Sequence, residues 1–369
     1  MIRRTFAPCL LLSLTLLLVH CGPPPSPTPI STPDLGLHLL VEVTGDLSHK
    51  RPGWEAYQPL SFGAALDWRD LLQAASDAEG LIVCADLSLA QVPPGYHGGL
   101  PCPRTKPVLE RGESLVVGPR RDGLLAFSIP YVLSPRHTFI KTSHPLLRWH
   151  PSTTGTITYT VRVWGGDLDW QKKTTTIPLT YPDDAPPLAP RTPYYLTVVD
   201  AEGHSSEEEQ TALDVSFSLL LPQEVDTIQT LVAQACDLEL AERATQLLEA
   251  EIYAAHGLRA SAITLLEELA AGEDAPTVHR RLGNLYLEMG LYTEAQDAYE
   301  RALDGYHALG DREGEAHVLA GLGLARRGNG DDATARAHLE QALSVYRGIG
   351  DVDDTANVEA ILVEMEVTQ

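Results

Sequence analysis

Hydrophobic and polar positions change texture three times along the chain. From Gly36 to Pro130 short apolar runs stand between Gly and Pro. LHLLVEV alternates, EGLIVCADLSL has the character of a buried strand, and ESLVV and LLAFSI follow. Together they predict an all-β module over residues 36–130. From Ser143 to Pro222 the alternation is stronger. HPLLRWHP sets Leu147 and Trp149 on one face, and TITYTVRVWGG sets Ile157, Tyr159, Val161 and Val163 against Thr158, Thr160 and Arg162. With further strands at TTTIPLTY, LAPRTPYYLTVVDAEG and TALDVSFSLLL, the pattern predicts a β-sandwich over residues 140–221. From Gln223 onward the apolar spacing is helical and it repeats. Residues 222–369 therefore read as an all-α solenoid of about three repeats, closed by a capping helix from Asp351 to Val367. Ahead of these modules, Arg3 and Arg4 precede an apolar run from Ala7 to Val19. A spanning helix needs ~20 residues, and this run has the size of a signal-peptide core instead.

The repeats carry the strongest resemblance. Leu282, Gly283, Tyr286, Gly290, Ala295, Tyr299 and Ala302 stand in the order of the tetratricopeptide repeat. Leu322, Gly323, Gly330, Ala335, Leu339 and Ala342 recur forty residues later, and Ala250, Tyr253, Gly257, Ala262, Leu266 and Leu269 form a degenerate copy upstream. Gly283 and Ala295 belong where two helices cross, and Tyr286 and Tyr299 between helix pairs. Gly310-Asp311 and Gly350-Asp351 each supply a helix stop followed by an N-cap. The forty-residue spacing predicts a second helix about two turns longer in each pair. The resemblance implies a concave face lined by Leu247, Glu251, Arg280, Asn284, Leu287, Leu324 and Arg327 that holds a peptide or helix of another protein.

Weaker resemblances cover the rest. Leu188, Pro190, Thr192 and Tyr194, with Trp149, resemble the fibronectin type III pattern, which implies that Trp149 and Tyr194 fill a sandwich core while Tyr195 points out. Gly45, Gly63, Leu66 and Asp70 resemble the layout of a FecR-like β-domain. Leu18-Val19-His20-Cys21, followed by a Pro-rich stretch, resembles a bacterial lipoprotein signal. It implies cleavage after residue 20, lipidation of Cys21, and a semi-rigid tether over residues 21–35. The expected address is the bacterial cell envelope, on the extracytoplasmic side, with membrane contact through the N-terminal lipid alone. In that compartment a Cys84–Cys102 disulfide is expected, worth roughly 3 kcal/mol by chain entropy. Cys236 lies in a helical pattern and reads as a buried helix residue.

Composition and charge narrow the function. Of 369 residues 44% are hydrophobic and 21% charged, a globular composition. The formal charge of −23 argues against a nucleic-acid partner. Most of the excess sits in residues 222–369, with 28 Asp and Glu against 10 Arg and no Lys. Phosphate-binding loops, nucleophile elbows and His-Glu-x-x-His helices have no match. His137, His144 and His150 do not have metal-ligand spacing. His97-Gly98-Gly99 reads as a Gly-rich turn. No enzyme, metal or cofactor is expected. The expected protein is an envelope-anchored, non-enzymatic scaffold whose acidic repeats bind another protein with a basic segment. A signal-sensing accessory built on the FecR-like module is the alternative, and an envelope hydrolase a third.

Overall fold

Strand-forming sequence ends and helix-forming sequence begins at Pro222. The computed structural model describes residues 38–103, 129–152, 158–209, 215–272 and 275–367. Cys21, the signal and the tether, the strand ESLVV and the body of LLAFSI lie outside the described residues.

The first module has eight short strands: β1 (His38–Thr44), β2 (Leu47–Lys50), β3 (Gln58–Pro59), β4 (Ala65–Leu66), β5 (Leu71–Ala74), β6 (Glu79–Val83), β7 (Leu89–Val92) and β8 (His97–Gly99). They pair antiparallel as two four-stranded sheets, ordered β4-β1-β6-β7 and β3-β2-β5-β8. Leu40, Leu47, Leu72, Ile82, Ala90 and Val92 fill the core between them. The expected alternation in LHLLVEV fails, because His38, Leu39, Leu40 and Val41 are all buried. Leu40 faces the module core, while Leu39 and Val41 join a core built mainly from helices. A strand covered on both faces has no polar side to show.

The second module holds β9 (Tyr131–Ser134), β10 (Thr138–Ile140), β11 (Leu146–His150), β12 (Tyr159–Gly165), β13 (Leu168–Thr174), β14 (Leu179–Thr180), β15 (Tyr195–Asp200) and β16 (Phe217–Leu219). Its three-stranded sheets, β14-β11-β9 and β13-β12-β15, share one core, and β10 pairs in parallel with β16. Trp149 and Tyr194 are buried there, and Tyr195 is half-buried. The module starts earlier than the expected residue 140, since Val132 of β9 packs into the same core.

Eight helices follow: α1 (Pro222–Cys236), α2 (Glu242–Ala255), α3 (Arg259–Gly272), α4 (Pro276–Glu288), α5 (Tyr292–Leu309), α6 (Arg312–Gly328), α7 (Asp332–Ile349) and α8 (Val352–Val367). Gly310 and Gly350 adopt left-handed C-caps, and the next Asp caps the following helix through the backbone N–H of Gly314 or Asp354. Helices α5 and α7 have 18 residues against 14 in α3, an extension of about one turn rather than two. Between α5 and α6 the packing has a seven-residue beat. Tyr292, Tyr299 and Tyr306 sit against Gly328, Gly321 and Gly314, in antiparallel order. A Cβ at Gly321 would lie 2.5 Å from Tyr299 Cζ, and one at Gly328 2.5 Å from Tyr292 Cδ1. Bare backbone on α6 is what lets three aromatic rings lie between the helices. Cys236, expected to be buried, is an exposed free thiol at the end of α1.

Candidate functional site

The first helix of each pair is expected to face a partner. Instead, the first β-module packs on it. The segment from Arg51 to Gly63, which includes β3, runs across the starts of α4, α6 and α8. Trp54 is buried and donates its indole N–H to Asp351 Oδ2 at 3.1 Å, beside a backbone bond from Glu55 N to Ile349 O at 3.0 Å. Gln58 Oε1 accepts from Arg312 N at 3.1 Å. The carbonyls of Phe62 and Gly63 accept from the Thr277 hydroxyl and from Arg281 Nη2. Around these polar contacts, Leu39, Val41, Phe62, Val83 and Leu87 share one apolar core with Leu247, Leu282 and Leu285.

A charged cluster sits inside this seam. His49 on β2 is 2% exposed, with Nδ1 3.1 Å from Asp70 Oδ2 and Nε2 3.1 Å from Glu313 Oε2 on α6. Arg51 reaches both acids, at 3.5 Å to Asp70 and 2.5 Å to Glu313. Burial works against an imidazolium, but the hydrogen bonds to Asp70 and Glu313 outweigh it and raise the His49 pKa to about 9. Glu313 is buried as well, yet Arg51 and His49 hold its carboxyl well below the usual range. Burial and the charge of Glu313 push Asp311 up to about 6. Two bases thus balance Asp70 and Glu313, with His49 and Asp70 buried and Arg51 partly exposed at the edge. The arrangement joins β2 and the start of β5 to α6.

The second module grips the opposite ends of α2 and α4. Phe139 N donates to Gly257 O at 2.9 Å, Tyr131 to Gly290 O at 3.1 Å, and Arg136 Nε to Met289 O at 2.8 Å. The buried Arg136 guanidinium also forms a two-point pair with Glu209, at 2.7 and 2.8 Å.

These contacts change the expected groove. Leu247, Leu287 and Leu324 are core residues, at 0%, 4% and 0% exposure. Glu251 is buried against Arg281 at 2.6 Å, and Arg327 is buried with Nη2 3.2 Å from Glu364. Asn284 accepts from the Tyr299 hydroxyl at 2.7 Å, and Arg280 lies against Tyr306 and Asp311. The seven residues form no open face, because the chain's own β-module and neighbouring helices cover them. Cys84 and Cys102 are joined as a disulfide, with Cα atoms 5.6 Å apart. Among the described residues the one group with metal-ligating reach is His38 with these two cysteines, whose sulfurs are bonded to each other. His49 and Glu313 carry no local signal in the sequence. Asp70 stands in the Gly63–Asp70 motif, and Asp311 and Asp351 stand in the Gly-Asp turns. Those repeated turns were the visible trace of the seam.

Residues 274–348 match the tetratricopeptide-repeat family model. They span α4 to α7, and that part of the helical region is built of repeats of this type. Among solved structures the chain is similar to MamA, with 20% identity over 40% of this chain and 92% of that one, at a TM-score of 0.29. It is also similar to BtubC (BKLC) from P. vanneervenii, with 16% identity over 39% of this chain and 64% of that one, at a TM-score of 0.34. No curated protein matches the chain. Among the described residues no helix is long and apolar enough to cross a membrane.

Proposed function

We propose that this protein is a non-enzymatic scaffold, held at the bacterial cell envelope by lipidated Cys21, whose acidic helices bind a partner protein through a basic segment. Tetratricopeptide repeats generally serve as protein-interaction scaffolds. The observation that carries the reading is the filling of the inner face by the chain's own β-module. Binding is thereby left to the outward surfaces, in a region with 28 acidic residues and no Lys. Such a surface steers basic partners and repels acidic ones, and salt weakens it by slowing arrival. In the second module the Tyr194 hydroxyl accepts from Ala189 N at 2.8 Å while Trp149 fills the core, which supports the fibronectin type III-like reading.

Carbodiimide crosslinking of intact cells, which joins carboxylates to lysines, tests the scaffold. Crosslinks should run from Asp and Glu of residues 222–367 to lysines of one recurring partner. Crosslinks confined to residues 38–219 overturn the reading. The intact mass of the membrane-bound form checks the anchor, which requires acyl mass on an N-terminal Cys21. The signal-sensing alternative keeps one supporting observation, the buried charged cluster joining the Asp70-bearing module to α6.

A further inference from the structure

We infer that the free edge of β13 is the docking site for an extended acidic segment of a partner protein, which adds to the sheet as a further strand through two adjacent carboxylates. The inference goes beyond the basic partner of the helices and does not depend on it.

The first support is the edge itself. Among the described residues the outermost strands of the other sheets have two to four residues, which leaves little backbone to pair. β13 has seven, about 24 Å of strand, and all seven pair with β12 without a bulge. At the opposite edge of the same sheet β15 is covered: Val199 bridges to Ser205, and Val198 N donates to Ser206 Oγ at 3.0 Å. On the far side of β13 no described residue bonds to its backbone. Alternate residues of an antiparallel strand direct N–H and C=O away from the neighbour, so about three of the seven offer both groups to an incoming strand. Such an edge accepts a peptide by main-chain hydrogen bonds.

The second support is charge, and it selects the occupant. Asp169 is taken up within the chain, by a two-point pair with Arg162 at 2.8 and 2.9 Å and a side-chain hydrogen bond from Gln171. Lys172 and Lys173 are exposed, and no carboxylate of the described residues pairs with either. A chain of formal charge −23 thus sets two of its five lysines side by side on an open edge. Successive strand residues point to opposite faces, so an incoming strand meets one lysine on each face and answers both with two adjacent acids. On the face of Lys172, Trp170 is half-buried and lies edge-on to Tyr181 at 4.9 Å. It favours a β-branched side chain opposite. Lysines on an edge also repel strands that carry their like. The β13 of a second copy would bring two more cations, so self-pairing is disfavoured.

The test uses the full chain and a labelled nine-residue Val/Thr peptide with two adjacent Glu at its centre, together with a twin carrying Lys in their place. Fluorescence anisotropy should show binding of the Glu peptide alone, and hydrogen exchange should slow within residues 168–174. Lys172→Glu with Lys173→Glu, both at exposed positions, should weaken binding of the Glu peptide at least about tenfold and transfer the preference to the Lys twin. Circular dichroism and melting should stay unchanged in that variant. Equal binding of both peptides, binding of neither, or Glu-peptide binding that the double substitution leaves unaltered overturns the site. Protection that appears only outside residues 168–174 overturns it as well. A concentration-dependent dimer of the parent chain that the double substitution abolishes would name a second copy as the occupant and overturn the proposal.

Discussion

At His49 the direction of the pH dependence follows from which neighbours outweigh burial. Its pKa is about 9 in the fold against 6.5 for the free group, so its contribution is full below about pH 6.5 and is lost as pH rises through 9. His49→Gln removes the cation between Asp70 and Glu313 and should cost about 3 kcal/mol at pH 6 in urea denaturation. The variant should also lack the extra fall in stability that the parent shows between pH 7 and 9. Comparing the two cancels His150 and His204, whose imidazoles are held up by hydrogen bonds to Glu294 and Asp200. An identical slope in both proteins would remove His49 as its source. The glycine seam makes a second claim at this scale. Gly321→Ala forces a methyl against the Tyr299 ring and should cost about 1–3 kcal/mol. Gly348 on α7 has no atom within 4 Å of its missing Cβ, so Gly348→Ala should be neutral or stabilise by up to about 1 kcal/mol. Two equal thermal shifts would show that helix propensity, not the tyrosine seam, governs these positions.

Elements were legible in proportion to how local their causes are. The helix pairs could be read because Gly283, Ala295 and Tyr299 serve contacts between adjacent helices and recur with the repeat. β11 and β12 could be read because one face of each is buried and the other wet. β13 was missed because LDWQKKT has no buried face, and β1 was misjudged because both of its faces are covered. The seam was not legible at all, since His49 and Glu313 lie 264 positions apart and a single polar pair leaves no periodic trace. Trp54 tests the seam as an element. Its ring lies edge-on to His49 at 5.1 Å and its N–H ties the 51–63 segment to the cap of α8. Trp54→Ala should cost about 3–5 kcal/mol and speed amide exchange first between Ile349 and Thr355. Faster exchange confined to the β-module would mean that the segment holds itself and not α8.

For the whole molecule, the decisive fact is that one apolar core crosses all three modules. Leu39, Val41 and Phe62 from the first, Tyr131 and Leu220 from the second, and Leu247, Leu282 and Leu285 from the helices belong to a single cluster. A repeat array by itself is stabilised by nearest neighbours, so it unfolds in steps and tolerates loss of an end. Here α2 and α4 also depend on strands some two hundred residues away, and the charged cluster adds α6 to that dependence. Residues 38–367 should therefore unfold in one transition, with calorimetric and van't Hoff enthalpies in agreement, although a chain of this length usually divides. Removing residues 38–103 would bare Leu247, Leu282 and Leu285 and leave Glu313 without His49 and Arg51. The product should be expanded, should bind apolar dyes, and should lose the near-ultraviolet signal of Tyr299 and Tyr306. If it instead melts at the parental temperature as a folded solenoid, the first β-module is a passenger on the array. The inner face would then be free to take an outside peptide, and Arg280 and Asn284 would return as candidates for holding it.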